Sequence, residues 1–335
     1  MRGRSKCSQP VRPARAFALL VLLLAAFGPG GATAQVAELP KTVTVHVGFA
    51  PGGPADVIAR IVAEKLAEKT GSTIIVLNRA GAGGTLAAEA VARLAPDGAN
   101  LLLVTSGHAG APAQFPNLRF DNQRDFTPII ALAQSPVILL VAKASPHKSI
   151  QDLIAAARAN PGKLNFGTGG GGATLTALSA IVLRKELGYD AVAVPFQGAG
   201  PAAIALMGGS IDFTFDTVSG ATGLLAGGEL RGLAVTSRQR SSAAPSVPTV
   251  GETVKPGFDI TGWFGLLGPA GMDPKLVERL NRDLDQILSA PEMKARLATI
   301  GLDAIGGSAN AFGDLIASET TRWGAVIREF QLQAQ

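Results

Sequence analysis

The chain has 335 residues, of which 30 are basic and 25 acidic, with three histidines and one cysteine. A chain of this length buries enough apolar surface to fold without disulfides or a structural metal. Five of the basic residues and Cys7 precede Gln35, so the rest of the chain carries 25 residues of each sign and no thiol. This balance excludes any charge argument for nucleic acid or an anionic membrane as partner. The missing thiol excludes disulfides, cysteine nucleophiles and thiolate metal sites.

Residues 1–34 have the three parts of a secretory signal peptide. Basic residues come first, an apolar run follows at residues 16–27, and small residues at 32–34 precede Gln35. The apolar run is shorter than the about 20 residues that a membrane-spanning helix needs, and no cysteine follows it to carry a lipid anchor. The sequence therefore predicts a periplasmic protein, cleaved after about Ala34, with no stable membrane anchor.

From residue 41 onward, short β-branched runs alternate with helical periodicity, which predicts an α/β fold with crossover helices. Ser149 and Asp152 form a predicted capping box at the start of one helix. The predicted strands are residues 42–47, 72–77, 100–105, 136–142, 163–167, 191–196, 210–215 and 230–236. The predicted helices are residues 55–69, 85–94, a segment from 149, 174–187, 201–207, 275–288, 291–300 and 309–330.

The order of these elements predicts a signal peptide and two lobes. Lobe 1 comprises residues 36–141 and 264–335, because the helical tail is expected to return and cover it, and lobe 2 comprises residues 142–263. No linker rich in proline and serine separates the lobes. The hinge is therefore expected to consist of two crossing strands, near Val141 and near Trp263.

Four glycine-containing loops follow the carboxyl ends of predicted strands. Open α/β sheets bind ligands beyond those ends, where helix N-termini present free N–H groups to an anion. Any one of these loops could be an ordinary tight turn, but four of them, two on each predicted lobe, predict an anion-binding cleft. The loops are Pro51-Gly52-Gly53-Pro54, Ser106-Gly107-His108, the run from Gly167 to Gly172, and Gln197-Gly198-Ala199-Gly200.

Two acidic residues belong to the predicted site for different reasons. Asp56 stands in the first turn of a helix, where capping is a stronger interpretation than catalysis. Asp216 follows an apolar strand end and would need a partner if buried, which a ligand ammonium or a local backbone group would supply. The predicted ligand-binding residues are Pro51, Gly52, Gly53, Pro54, Asp56, Thr105, Ser106, Gly107, His108, Thr168, Gly169, Gly170, Gly172, Ala173, Thr174, Gln197, Gly198 and Asp216.

Catalysis and cofactor binding find little support in the sequence. The glycine run at residues 167–172 matches a dinucleotide fingerprint, but the next strand ends in Phe196 where an acidic residue is needed. The three histidines lack metal-binding spacings, and no serine lies in a nucleophile elbow. We therefore expect no cofactor, no metal and no enzymatic activity. The open alternative is a periplasmic enzyme acting on a small anion through Asp56, His108 or Asp216.

These residues resemble the Bug (TctC-like) family of extracytoplasmic receptors for tripartite tricarboxylate transporters, over essentially the whole mature chain. The resemblance rests on six groups of residues. They are Pro51-Gly52-Gly53 with Asp56, Asn78-Arg79 with Gly81-Ala82-Gly83-Gly84, Ala95-Pro96-Asp97-Gly98, Val194-Pro195-Phe196 with Gly198 and Pro201-Ala202, Gly208-Gly209-Ser210-Ile211-Asp212, and Trp263-Phe264-Gly265.

The resemblance implies a two-lobe type II periplasmic-binding-protein fold. It also implies a ligand carboxylate held by main-chain N–H groups, hydroxyls and water between residues 51–54 and 168–174. Asp216 matches the position that faces the ligand ammonium in similar receptors for amino acids. The expected function is the capture of a dicarboxylate, tricarboxylate, aromatic carboxylate or amino acid by a monomer that delivers it to membrane transporter subunits. A receptor that reports ligand to a signalling partner is the alternative.

Overall fold

The computed structural model describes Met1 and residues 38–115, 117–169, 174–196 and 199–329. The remainder of the predicted signal peptide lies outside the described residues. In the described part of the chain, ten strands belong to one sheet. The strands are β1 (Thr42–Val47), β2 (Thr73–Asn78), β3 (Asn100–Thr105), β4 (Phe126–Ala142), β5 (Asn165–Gly169), β6 (Val192–Phe196), β7 (Phe213–Thr217), β8 (Leu230–Val235), β9 (Thr261–Pro269) and β10 (Asp303–Gly306).

Helices follow most of these strands, as the alternating pattern predicts. None of the described helices is both long and apolar enough to cross a membrane. A short 3-10 turn, Ala82–Gly84, precedes the second of them. The helices are α1 (Pro54–Thr70), α2 (Thr85–Val91), α3 (Gly107–Gln114), α4 (Ile150–Ala159), α5 (Leu175–Leu187), α6 (Ala199–Met207), α7 (Val218–Gly227), α8 (Val250–Thr253), α9 (Pro274–Ser289), α10 (Pro291–Thr299) and α11 (Ala309–Glu329).

The sheet has the order β2-β1-β3-β9-β4-β7-β5-β6, and β8 and β10 also pair with β4. The pairs β1–β2, β1–β3, β5–β6 and β5–β7 are parallel, whereas every pair that involves β4 or β9 is antiparallel. Parallel strands joined through helices confirm the α/β class. The Ser149 capping box at the start of α4 is also confirmed, because the Ser149 side chain accepts from the Asp152 N–H.

Strand β4 connects two groups of strands. Its first part, from Phe126 to Pro136, pairs with β9, and from Val137 onward it pairs with β7 and β8. Most of its 17 residues are buried, which explains its nearly continuous apolar sequence. The change of partners falls between Pro136 and Val137, earlier in the strand than the predicted crossing near Val141.

Helix α11 contributes to the cores of both strand groups. Phe312 and Ile316 pack with β3, β4 and β9, whereas Trp323 and Ile327 pack with residues of β5, β7 and α5. Each of these large apolar side chains contributes about 1.5–3 kcal/mol by leaving water. The tail helix therefore packs against both groups of strands. The sequence predicted that it covers only lobe 1.

Several elements differ from the sequence prediction. The segment that begins at Gly107 was predicted as a loop and forms α3, while α7, α8 and β10 were not predicted at all. Strand β4 begins at Phe126 rather than at residue 136. Pro128 lies next to an irregularity in the β4–β9 register, and such irregularities are where a strand tolerates proline.

Candidate functional site

Asp56, in the first turn of α1, anchors the loop between β1 and α1. Its Oδ2 accepts hydrogen bonds from the Gly52 N–H and from Arg60 Nε, each at 2.9 Å. Its Oδ1 accepts from Asn78 Nδ2, also at 2.9 Å. Asp56 is only 3% exposed, and the hydrogen bond from Arg60 is the largest cause that lowers its pKa to about 2. The ionised carboxylate is thus directed at the protein and fixes the main chain of the loop.

The same loop presents the N-terminus of α1 to solvent. Gly52 has a φ of +83°, which glycine adopts without strain, and Pro54 occupies the first turn of the helix. The N-cap residue, Gly53, provides no side-chain hydrogen bond. The N–H groups of the first turn of a helix lack intrahelical acceptors. The arrangement therefore favours an anion at this helix end.

Close backbone contact joins this loop to the loop after β2. A Cβ atom added to Gly48 would lie 2.4 Å from the Cα of Gly84 and 2.9 Å from its carbonyl oxygen. Neither backbone atom can move aside as a side-chain tip would.

We expect Gly48→Ala to lower the free energy of unfolding by about 1–3 kcal/mol, as overpacking does. Urea denaturation of the mature protein measures the change. Gly223→Ala is the matched control, because a Cβ atom there meets nothing within 4 Å and alanine favours a helix. Equal stabilities of the two variants would contradict the close approach.

Hydrogen bonds hold the turn at Ser106, between β3 and α3. The Ser106 N–H donates to the Trp263 carbonyl at 2.9 Å, and the Gly107 N–H donates to Thr105 Oγ1 at 3.3 Å. His108, the second residue of α3, is buried like Ser106, and its Nε2 lies 2.9 Å from the Asn122 carbonyl oxygen.

Aromatic residues surround the His108 ring. It stacks on Phe120 and meets the edge of Phe126, with ring centroids 6.0 and 5.2 Å apart. Burial lowers the pKa of His108 to about 4, so the ring is neutral at pH 7 and its Nε2–H donates to Asn122. The structure therefore places His108 in the core rather than at the exposed edge of the loop.

The loop between β5 and α5 is described at its two ends. Thr168 lies in β5, where its Oγ1 reaches the Val194 carbonyl at 3.5 Å, and Gly169 ends the strand. Thr174 caps α5, because its Oγ1 accepts from the Ala177 N–H at 3.3 Å. The predicted site residues Gly170, Gly172, Ala173, Gln197 and Gly198 lie outside the described residues.

Asp216 lies at the carboxyl end of β7, beside the first turn of α7. It is 9% exposed, and its Oδ1 accepts from the Thr217 N–H at 2.7 Å. This is the local backbone partner that the sequence allowed as one of two alternatives. Burial raises the pKa of Asp216 to about 6. A Cβ atom on Gly220 would lie 2.7 Å from Oδ1, so the glycine leaves space for the carboxylate.

A chain of contacts brings three of the predicted loops together. Phe49, at the start of the β1–α1 loop, lines a cavity of about 10 Å³ with Thr105. Next along the chain, Ser106 lines a second cavity, of about 20 Å³, with Leu175 at the start of α5. A Cβ atom on Gly262 would lie 2.6 Å from Leu175 Cδ2 and 3.2 Å from the Ser135 carbonyl oxygen, so the glycine leaves room for the Leu175 side chain.

Asp216 is connected to the same region through β4. The residue pairs with Ile138 of that strand. Ser135, earlier in β4, donates from its Oγ to Ser219 Oγ at 3.1 Å in the first turn of α7. The described residues contain no cluster of three or more His, Cys, Asp or Glu side chains able to hold a metal ion. What the loops offer in common is main-chain N–H groups and hydroxyls, which suit an oxyanion.

Comparison with known proteins gives the family. The sequence profile of TctC, the tripartite tricarboxylate transporter family receptor, matches residues 58–332. A protein from the tcbD-tcbE intergenic region of Pseudomonas sp. (strain P51) is 35% identical over 295 residues, which are 88% of each chain.

Two solved structures from Rhodopseudomonas palustris share the fold. MatC with bound malate is 34% identical, with a TM-score of 0.71 over 85% of this chain and 98% of that one. Rpa4515 with adipate is 32% identical, with a TM-score of 0.75 over 86% of this chain and 96% of that one. The profile match covers most of the chain, and the chain therefore belongs to the TctC-like family of tripartite tricarboxylate transporter receptors, which its sequence resembles.

Proposed function

We propose that this receptor is a periplasmic solute-binding protein that captures a small carboxylate and delivers it to the membrane subunits of a tripartite tricarboxylate transporter. One observation carries the proposal: buried, ionised Asp56 fixes the β1–α1 loop so that an uncapped helix N-terminus stays open at the strand ends. The adipate and malate in the two R. palustris relatives are small dicarboxylates, which supports this ligand class.

The ligand would lie between two lobes, residues 36–141 with 264–335 and residues 142–263. Support comes from β4, which pairs with β9 up to Pro136, pairs with β7 and β8 from Val137 onward, and ends near the proposed boundary, at Ala142. The described residues proposed to face the ligand are Pro51, Gly52, Gly53, Pro54, Thr105, Ser106, Gly107, Thr168, Gly169, Thr174 and Asp216.

Binding without chemistry fits the state of two of the three acid and base candidates, Asp56 and His108. Asp56 accepts three hydrogen bonds from the protein, and the His108 ring is held in an aromatic cluster. Near pH 7 the Asp56 carboxylate stays ionised and the His108 ring stays neutral, because the pKa values of both groups lie well below 7. Neither group is therefore suited to exchange a proton with a ligand at that pH.

Thermal unfolding of the mature protein tests the proposal. A carboxylate present at 100 times its Kd is expected to add about 2.7 kcal/mol of stability. Malate, adipate, citrate, benzoate and aspartate form the panel, and malamide and adipamide are the matched uncharged controls. A raised Tm with at least one acid and not with the amides is the expected result. No response to any acid would overturn the proposal.

A further inference from the structure

Gly301, in the turn between α10 and β10, packs directly against the first turn of α7. A Cβ atom added to Gly301 would lie 2.4 Å from the Cα of Ser219 and 2.7 Å from its nitrogen. Both are main-chain atoms, which cannot turn aside as the tip of a side chain would. Gly301 also has a φ of +72°, which glycine adopts without strain. The two backbones therefore meet at a point where only glycine fits.

Ser135 of β4 reaches the same point. It is buried, and its hydroxyl oxygen lies 3.2 Å from the Gly301 carbonyl oxygen and accepts from the Ser219 N–H at 3.3 Å. Ser135 directly precedes Pro136, after which β4 changes its partner from β9 to β7 and β8. The turn at Gly301, the start of α7 and the partner change of β4 thus coincide.

Hydrogen bonds continue from this point to Asp216. Ser219 Oγ donates to Thr217 Oγ1 at 3.0 Å, and the Gly220 N–H donates to the same oxygen at 3.1 Å. The Thr217 N–H in turn donates to Asp216 Oδ1. The position of the Asp216 carboxylate therefore depends on where the first turn of α7 lies.

The start of α7 differs from the start of α1 in its free groups. The Ser219 and Gly220 N–H groups already donate to Ser135 and Thr217, whereas the N-cap residue of α1 provides no side-chain acceptor. The α7 turn would therefore meet a ligand through Asp216 rather than through these N–H groups. Because Gly301 and α7 belong to different proposed lobes, their contact also places Asp216 relative to lobe 1.

We propose that Gly301 and Ser135 are positioning residues, which hold the first turn of α7 so that the Asp216 carboxylate faces the ligand. Both act from outside the predicted site. Their effect on ligand affinity rests on the proposed function, whereas their effect on the Asp216 turn does not.

Gly301→Ala is expected to weaken binding of the acid with the largest thermal shift by about tenfold or more, because the added Cβ displaces α7. Isothermal titration calorimetry of the mature protein measures the Kd. Gly271→Ala is the matched control, since Gly271 has a φ of +84° but a Cβ atom there meets nothing within 4 Å. The control carries the same kind of backbone strain without the contact, and it should keep the wild-type Kd.

Ser135→Ala removes the hydroxyl without adding bulk, and it decides the matter if Gly301→Ala does not fold. We expect it to weaken binding by about threefold or more through the lost hydrogen bonds. Ser237→Ala is its control, because Ser237 is also buried and its hydroxyl donates to the Gln239 carbonyl. That variant should bind as the wild type does.

The pKa of Asp216 provides a readout that a loss of stability alone would not change. Burial raises this pKa to about 6, so the Asp216 carboxyl signal of protein labelled with 13C-aspartate should titrate near that pH. Asp216→Asn identifies the signal by its loss. In Gly301→Ala and Ser135→Ala the pKa should fall toward 3.8, because a displaced turn exposes the carboxyl group to water. The two controls should leave it unchanged.

Two results would overturn the inference. The first is an affinity in each folded variant equal to that of its control. The second is an Asp216 pKa that neither variant changes, because the effect would then not pass through the α7 turn. If no acid raises the Tm of the wild type, the proposed function fails, whereas the Asp216 pKa still decides whether Gly301 and Ser135 position the turn.

Discussion

Asp56→Ala is expected to weaken carboxylate binding roughly tenfold or more, equivalent to about 1.4 kcal/mol. The variant removes the acceptor of the Gly52 N–H and one of the two acceptors of Asn78 Nδ2, which also donates to the Phe49 carbonyl, so the β1–α1 loop loses contacts that fix its main chain. Isothermal titration calorimetry with the acid that gives the largest thermal shift measures the effect. The same variant should lose about 2 kcal/mol of stability from the stranded donors. Arg60 is half exposed, so its ion pair adds little to that loss.

Asp152→Ala is the matched control for this experiment. Asp152 also accepts from two main-chain N–H groups, those of Lys148 and Ser149, at the start of α4. It lies away from the glycine loops, so its removal should lower stability and leave the Kd unchanged. Equal ligand affinities for Asp56→Ala and Asp152→Ala would show that the β1–α1 loop does not bind the carboxylate.

Asp216→Asn is expected to make the ligand-free protein more stable at pH 7, by up to about 3 kcal/mol. Burial raises the pKa of Asp216 from 3.8 to about 6, and each pKa unit corresponds to about 1.4 kcal/mol. Between pH 3.8 and about 6 the folded state therefore holds a proton that the unfolded state has released. The stability due to the neutral carboxyl is complete below pH 3.8 and is lost as the pH rises to about 6. Asparagine avoids this loss and keeps an acceptor for the Thr217 N–H.

Urea unfolding at pH 3.5, 5 and 7 measures the difference between Asp216→Asn and the wild type. The difference should be small at pH 3.5 and grow toward pH 7. Asp152→Asn is the control, and its effect on stability should depend on pH in the opposite direction, because the hydrogen bond from the Lys148 N–H lowers the pKa of Asp152. Its stabilising contribution is present above pH 4 and is lost in acid. A flat difference for Asp216→Asn would contradict the buried carboxylate.

The sequence predicted those elements whose own residues mark where they begin and end. Helix α1 begins at Pro54 and ends before Gly71, which has a φ of +74°, and both are helix boundary residues by type. Strands β1 and β3 were predicted with the bounds that they have.

Strand β10 was missed because its four residues are extended through pairing with β4, a contact distant in sequence. Helix α3 contains glycine and proline, which predict a loop, and it forms because its buried face packs against α11.

In the candidate site, too, the sequence predicted the local features but not those that depend on contacts distant in sequence. Strand ends with glycine are readable from the sequence, and so is Arg60, four residues after Asp56 on one helix face. Asn78 reaches Asp56 through the β1–β2 register, in which Val47 pairs with Asn78, and single-sequence patterns do not give that register.

A crystal structure of the mature protein with malate tests the central claim most directly. We predict carboxylate oxygens within hydrogen-bond distance of main-chain N–H groups in the β1–α1 loop, and of hydroxyls or N–H groups between Thr168 and Thr174. Malate bound elsewhere, with both loops free of ligand, would contradict the account.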